Sequence, residues 1–283
     1  VAVASALAVA VLGALAAIAL RRFASHGQLD ADRWDIFLEA AIWRFLGVGL
    51  LNTLKVAGLA MALAVPFGAL LALGRLARNG PVRWVTGAYV ELFRAFPLLL
   101  LILYSGFVLR NQGLELATIW YLVGALVAYN GAVLGEIFRA GILSLERGQT
   151  EAAYSIGLSY WQAMRTVVIP QAARRMVPAV VSQMVTLLKD SSLGFIIAYE
   201  ELLRRGRIVG AFTNDTLQPL IVVALIYILV NLALSQLARR LEVRQRRRYR
   251  AGAIQVGGLE DLAVLGAQAG VGPGAREAPA ARW

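Results

Sequence analysis

The sequence predicts an all-α, polytopic membrane protein with six transmembrane helices, and three observations carry that prediction. The 283 residues are 59% hydrophobic and only 16% charged, and the mean hydropathy is +0.66. Soluble domains hold about 25% charged residues, so this chain is too apolar to be one. The apolar residues fall in blocks of roughly 20 or more, the length a helix needs to cross a bilayer. The polar loops between the blocks alternate between arginine-rich and charge-balanced, as the positive-inside rule requires of successive crossings.

The elements follow in order. Val1 to Leu20 is almost purely Ala, Val and Leu and ends at Arg21 and Arg22. It lacks the basic start and cleavage site of a signal peptide, so it reads as a first span whose start is missing. Residues 23–43 read as an amphipathic connector, and residues 1–43 together as an added N-terminal unit outside the membrane core. Leu46 to Leu73 is the second span. Trp84 to Leu109 is the third and carries Glu91, Arg94 and Pro97. Pro97 cannot continue the hydrogen-bond ladder and should kink its helix. A fourth span ends near Phe138, a fifth covers Val177 to Tyr199, and the last covers Leu217 to Leu237.

The loops at 75–83, 139–175 and 239–250 carry excess arginine, whereas those at 21–44, 110–116 and 199–216 are nearly balanced. This puts the arginine-rich loops and both termini in the cytoplasm of a cytoplasmic-membrane protein. Arg21 and Arg22 alone stand on the wrong side, which a basic segment upstream would resolve. Residues 44–250 then form the membrane domain, with a cytoplasmic loop at 139–175. The basic run 239–250 holds seven arginines and one acid and reads as an anchor on anionic lipid. It has one aromatic and no folded module around it, a poor basis for nucleic-acid binding. Residues 251–283 are Gly/Ala-rich and read as a disordered tail.

Several chemistries are excluded. With no cysteine there is no disulfide framework or thiolate site. His26 is the single histidine and receives no role. No G-x-x-x-x-G-K-[ST] phosphate loop occurs, so the chain does not hydrolyse ATP by that route.

The segment EAAYSIGLSYWQAMRTVVIP, Glu151 to Pro170, has the punctuation of two short helices. Thr150 can cap the first, with Glu151 in its first turn. Gly157 can take the backbone angles that end it. Ser159 can cap the second, and Pro170 lies where that helix should stop. One alternative is a surface hairpin with no partner.

Glu151-Ala152-Ala153, then Gly157, then Val167-Val168-Ile169-Pro170 is similar to the EAA signature of ABC importer permeases, EAA-x3-G-x9-I-x-L-P, with two conservative changes. Gly49 to Lys55 resembles the opening of that family's first core span. Glu91 to Leu99 resembles its FRGTPLL stretch, Pro170-Gln171-Ala172 with Pro178 its PQA continuation, and Lys189-Asp190-Ser191-Ser192-Leu193 its KDTSL. The chain resembles permeases of the polar amino-acid uptake group, most of all the glutamate-type permeases of actinobacteria. The resemblance covers about residues 45–240. It implies a five-helix ABC type I importer core with one added N-terminal helix. It also implies a coupling helix that carries Glu151, Ala152, Ala153, Gly157, Leu158 and Pro170 and docks on a cytoplasmic ATPase dimer. ATP and Mg would be bound by that partner, with no cofactor or metal in this chain. A second permease subunit, identical or paralogous, and an extracytoplasmic substrate-binding protein complete the implied assembly.

Charges at membrane depth are functional candidates by default. Glu91 and Arg94 are three residues apart and can pair on one helix face, as can Glu136 and Arg139. Lys189 and Asp190, about 18 Å along the helix from Val177, reach the midplane or beyond. Neighbours on a helix do not face one another, so at least one should face a polar interior. Lys189, Asp190, Ser191 and Ser192, with Glu91 and Arg94, are the candidate substrate path, in which Lys189 meets a carboxylate of the passing amino acid. The rival arrangement pairs Lys189 with Glu91 or Asp190 with Arg94. A self-sufficient secondary carrier or channel is the alternative to an ABC subunit, although no internal repeat of the kind carriers use is visible. A membrane enzyme lacks any nucleophile–base or metal-ligand cluster.

Overall fold

The structure, a computed structural model, describes residues 2–237, 239 and 240. The chain divides into a unit of residues 1–235 and a second of 236–283. Of the second, residues 236, 237, 239 and 240 are described, as helix. Beyond Arg239 and Arg240, the basic run and the tail lie outside the described residues.

The helices are α1 (Ala2–Ser25), α2 (Ala40–Leu76), α3 (Gly80–Ala95), α4 (Leu98–Leu103), α5 (Thr118–Leu143), α6 (Arg147–Ser155), α7 (Tyr160–Ala163), α8 (Ile169–Asp190) and α9 (Leu202–Thr213), followed by α10 (Leu217–Leu237). Five segments are long and apolar enough to cross a membrane: Ser5–Ser25, Ala40–Leu76, Thr118–Leu143, Tyr160–Ile197 and Leu217–Leu237. The predicted third span is instead a pair, Gly80–Ala95 and Leu98–Leu109, bent by 99°. Pro97 sets the place of the break. It forces Phe96 into extended backbone (φ −79°, ψ 132°), as a residue before proline prefers, and it lacks the amide the ladder would need.

None of the α1 span window is buried in the protein, so its side chains are available to lipid all round. The connector is two short 3₁₀ turns, Ala31–Arg33 and Asp35–Leu38. It is tied down by an ion pair from Arg33 to Asp215 and by the Gln218 amide donating to the Gln28 carbonyl at 2.9 Å.

The core is the seam between α2 and α5, the most extensive helix–helix contact among α1 to α9. Small residues on both faces (Ala60, Ala64, Gly68, Gly131, Ala132, Gly135) let the backbones approach, the usual device where lipid removes the hydrophobic drive for association. A Cβ at Gly68 would lie 2.9 Å from the Gly131 carbonyl oxygen and 3.0 Å from the Gly135 nitrogen. Backbone atoms cannot rotate away, so Gly68→Ala is expected to destabilise the protein by about 1–3 kcal/mol, seen as a lowered Tm in detergent. A polar clasp adds α8 to the core. Asn130, fully buried, accepts the Gln183 amide at 2.6 Å.

The fifth crossing differs from the prediction at its start. Pro170 does not end a helix. Instead α7 runs through a π turn at Met164–Val168 into α8, where Pro170 occupies the first turn. The widened turn makes room for a ring that would otherwise press on the preceding turn's carbonyl. At the far end the helix tightens to 3₁₀ over Ser191–Ile197 and stops at Ala198.

Candidate coupling loop and membrane cavity

The hairpin between α5 and α8 has the geometry of a rigid knuckle. α6 begins at Arg147 with Glu146 at the N-cap, one turn earlier than the expected Thr150 cap. An acid at that position suits the helix dipole, and Arg147-Gly148-Gln149 holds no proline to delay the start. Gly157 ends α6 with φ +85°. Its N–H donates to the Tyr154 carbonyl at 2.9 Å, and that of Leu158 to Ala153 at 3.2 Å. This is a Schellman closure, which needs a left-handed residue at the glycine position. Ser159 caps α7 in a capping box with Gln162.

Ala153 is buried in the knuckle, whereas Glu151, Ala152 and Gly157 are exposed and Leu158 and Pro170 half-buried. Ile156 and Trp161 stand 78% and 68% exposed on this polar loop, where apolar side chains have no core to fill. The knuckle is tied to the bundle at two points. Gln171 donates to Gln149 at 3.1 Å, and Arg175 donates to the Ser144 carbonyl at 2.5 Å.

The intramembrane charges separate into two groups. Glu136 and Arg139 pair as expected, at 2.6 Å. Glu136 is also held by Arg75 at 2.6 Å, which joins α2 to α5. Glu91 does not pair with Arg94 among the described residues. Its side chain is 71% exposed and reaches Arg75 at 3.4 Å. Neither rival pair forms, Lys189 with Glu91 or Asp190 with Arg94.

Lys189 and Ser192 instead line a cavity of about 400 Å³ together with Val185, Tyr227, Ile228, Asn231, Leu232 and Ser235. Among the described residues, Lys189 is the one charged residue in that lining. Asp190 and Ser191 are not part of it. Ser191 is fully buried and donates to the Leu188 carbonyl at 2.7 Å. Sequence reasoning missed the α10 wall. Its signal was present: Tyr227, Asn231 and Ser235 recur every fourth residue on a span whose other polar side chains are Gln218 and Gln236 at its ends, a polar stripe on one helix face.

Residues 64–247 match the family described as binding-protein-dependent transport system inner membrane component. The chain belongs to that family. Among its fellow permeases, the glutamate transport system permease protein GluD of Corynebacterium glutamicum is 40% identical over 231 residues, covering 80% of this chain and 84% of GluD. The arginine transport system permease protein ArtQ of Bacillus subtilis is 33% identical over 200 residues, covering 70% and 91%. The crystal structure of an amino acid ABC transporter with histidines superposes with a TM-score of 0.68 at 33% identity, over 71% of this chain and 94% of that one. The all-α fold is thus that of an ABC type I importer permease, a multi-pass inner-membrane transport component and not an enzyme. The family does not favour a self-sufficient carrier.

Proposed function

We propose that this chain is the membrane subunit of an ABC importer for acidic amino acids of the glutamate class, driven through the α6–α7 knuckle by a cytoplasmic ATPase dimer. The observation that carries this reading is the knuckle itself. The glycine closure and the serine capping box sit at the EAA signature, and they present exposed Ile156 and Trp161 away from the spans. Glu151, Ala152, Ala153, Gly157, Leu158 and Pro170 are the coupling residues. A body fixed at both helix ends, and tied to α5 and α8, transmits a push as rigid motion rather than absorbing it. In this reading residues 1–43 are an added span and connector, residues 44–250 the importer core, and both termini face the ATPase side. ATP and Mg belong to the ATPase, an extracytoplasmic binding protein delivers the substrate, and a second permease subunit closes the path.

Lys189 supports an acidic substrate. A carboxylate about 4 Å from an ammonium gains about 4 kcal/mol of Coulomb energy at an effective dielectric constant of about 20, and a guanidinium would be repelled. Overall identity does not choose between these substrates, since glutamate and arginine permeases are both relatives. The test is a substrate panel on the assembled complex with its binding protein, reading ATPase stimulation by glutamate, aspartate, glutamine and arginine. Acidic amino acids are expected to stimulate most. Preference for arginine would refute the assignment of Lys189. Glu151→Lys is expected to abolish association with the ATPase in a pull-down, and unchanged association would refute the coupling role.

A further inference from the structure

The short helix α9 lies outside the candidate spans, at the end of the bundle opposite the knuckle. It is entered and left through two non-glycine residues with left-handed backbone, Ala198 (φ 59°) and Asn214 (φ 57°). For alanine that conformation costs about 1–2 kcal/mol, so contacts of α9 must hold it in place.

Those contacts centre on Glu201. Its side chain is fully buried and caps α9, accepting the N–H groups of Leu203 at 2.8 Å and Arg204 at 2.6 Å. It also accepts the hydroxyl of Tyr227, from α10, at 2.8 Å. Beside it the Leu202 N–H donates to the Thr53 hydroxyl of α2 at 3.1 Å. Arg205 donates to the Phe45 carbonyl at 3.0 Å and lies 4.4 Å from the centre of the Phe45 ring. Burial pushes the Glu201 carboxyl up, against the opposing effect of its two backbone donors and the tyrosine.

Tyr227 is shared. Its hydroxyl belongs to the cap of α9, while the same side chain lines the Lys189 cavity. One turn further on, Asn231 donates to the Tyr227 carbonyl at 2.7 Å and also lines that cavity. Removing a donor from a buried acceptor costs about 1–3 kcal/mol. If α9 shifts, keeping that bond therefore requires the Tyr227 ring to shift with it, and the cavity wall moves.

We propose that Tyr227 is a positioning residue that ties the seat of α9 on α2 to the shape of the Lys189 cavity. A displacement of α9 from outside and a repacking of the cavity are then one event. The inference relies on the importer reading only for what displaces α9 in the working transporter, a loaded binding protein. The coupling itself is independent of that reading.

A double-mutant cycle in membranes containing the full chain tests it. Gly49 of α2 packs beneath α9. A Cβ there would meet the Leu202 Cα and the Arg205 Cδ at 3.0 Å and the Glu201 carbonyl oxygen at 3.3 Å, so Gly49→Ala pushes α9 a few tenths of an ångström from its seat without touching the cavity. The chain has no native cysteine, so Ser235→Cys reports the cavity through its rate of labelling by a small thiol reagent. With Tyr227 intact, Gly49→Ala is expected to change that rate by about threefold or more. With Tyr227→Phe, which keeps the ring and deletes the donor, the effect should fall below about 1.5-fold, the non-additivity expected of coupled residues. If Tyr227→Phe fails to reach the membrane, Tyr227→Leu, which also lacks the donor, replaces it in the same cycle. The proposal is overturned if Gly49→Ala leaves labelling unchanged with Tyr227 present. It is equally overturned if the change persists undiminished without the hydroxyl.

Discussion

Gly157→Val is expected to reduce substrate-stimulated ATP hydrolysis by the assembled complex about five- to thirtyfold, with the chain still inserted in the membrane. Gly157 has φ +85°, where a β-branched residue is a genuine outlier. The left-handed conformation costs about 1–2 kcal/mol for ordinary residues, and 1.36 kcal/mol corresponds to a factor of ten. The closure that sets the angle between α6 and α7 would open, and the push on the spans would be lost. Asparagine tolerates the left-handed region, so Gly157→Asn should retain most coupling and Gly157→Ala should fall between. Activity in the order Gly, Asn, Ala, Val ties the effect to backbone geometry. Equal loss in all three variants would show that contact with the ATPase, not the turn, governs coupling.

Lys189→Met should lower ATP-driven uptake of an acidic amino acid about ten- to 150-fold, from the roughly 1.5–3 kcal/mol that a hydrogen bond to a charged group supplies. Assembly with the ATPase should be unchanged. Lys189 makes no salt bridge among the described residues, although its charge acts on the neighbouring Asp190 carboxylate, and the methionine stem keeps most of the packing volume. Loss of folded protein from the membrane would contradict this account and point to a structural role for the ammonium. The change should affect acidic more than neutral substrates, which separates loss of a carboxylate contact from general blockage.

Much of this was legible in the sequence, and the failures have local causes. Gly157 and Ser159 were readable because a left-handed turn and an N-cap each depend on one residue's own chemistry. The kink at Pro97 was expected for the same reason, but a 99° bend exceeds anything one missing donor implies. It reflects where α3 and α4 pack. Pro170 misled because stop signals describe an α-helix, and here the chain relaxes into a π turn and continues. Thr150 misled because cap propensity does not exclude a start one turn earlier. Glu91 and Arg94 share a helix face, yet Arg75 claims Glu91 from another helix, and spacing along a single helix cannot show that. Glu201 read as part of a balanced polar loop. Its burial is a tertiary event: the amides of Leu203 and Arg204 are local to α9, but the Tyr227 hydroxyl comes from α10.

The central claim, that an external ATPase drives this chain through the knuckle, is tested most directly in proteoliposomes. The chain would be reconstituted with its ATPase, its binding protein and any second permease subunit, and uptake of labelled glutamate followed with and without internal ATP. The account predicts uptake that requires ATP and the ATPase together and is abolished by Glu151→Lys. Uptake by the chain alone, driven by an ion gradient and indifferent to ATP, would contradict it.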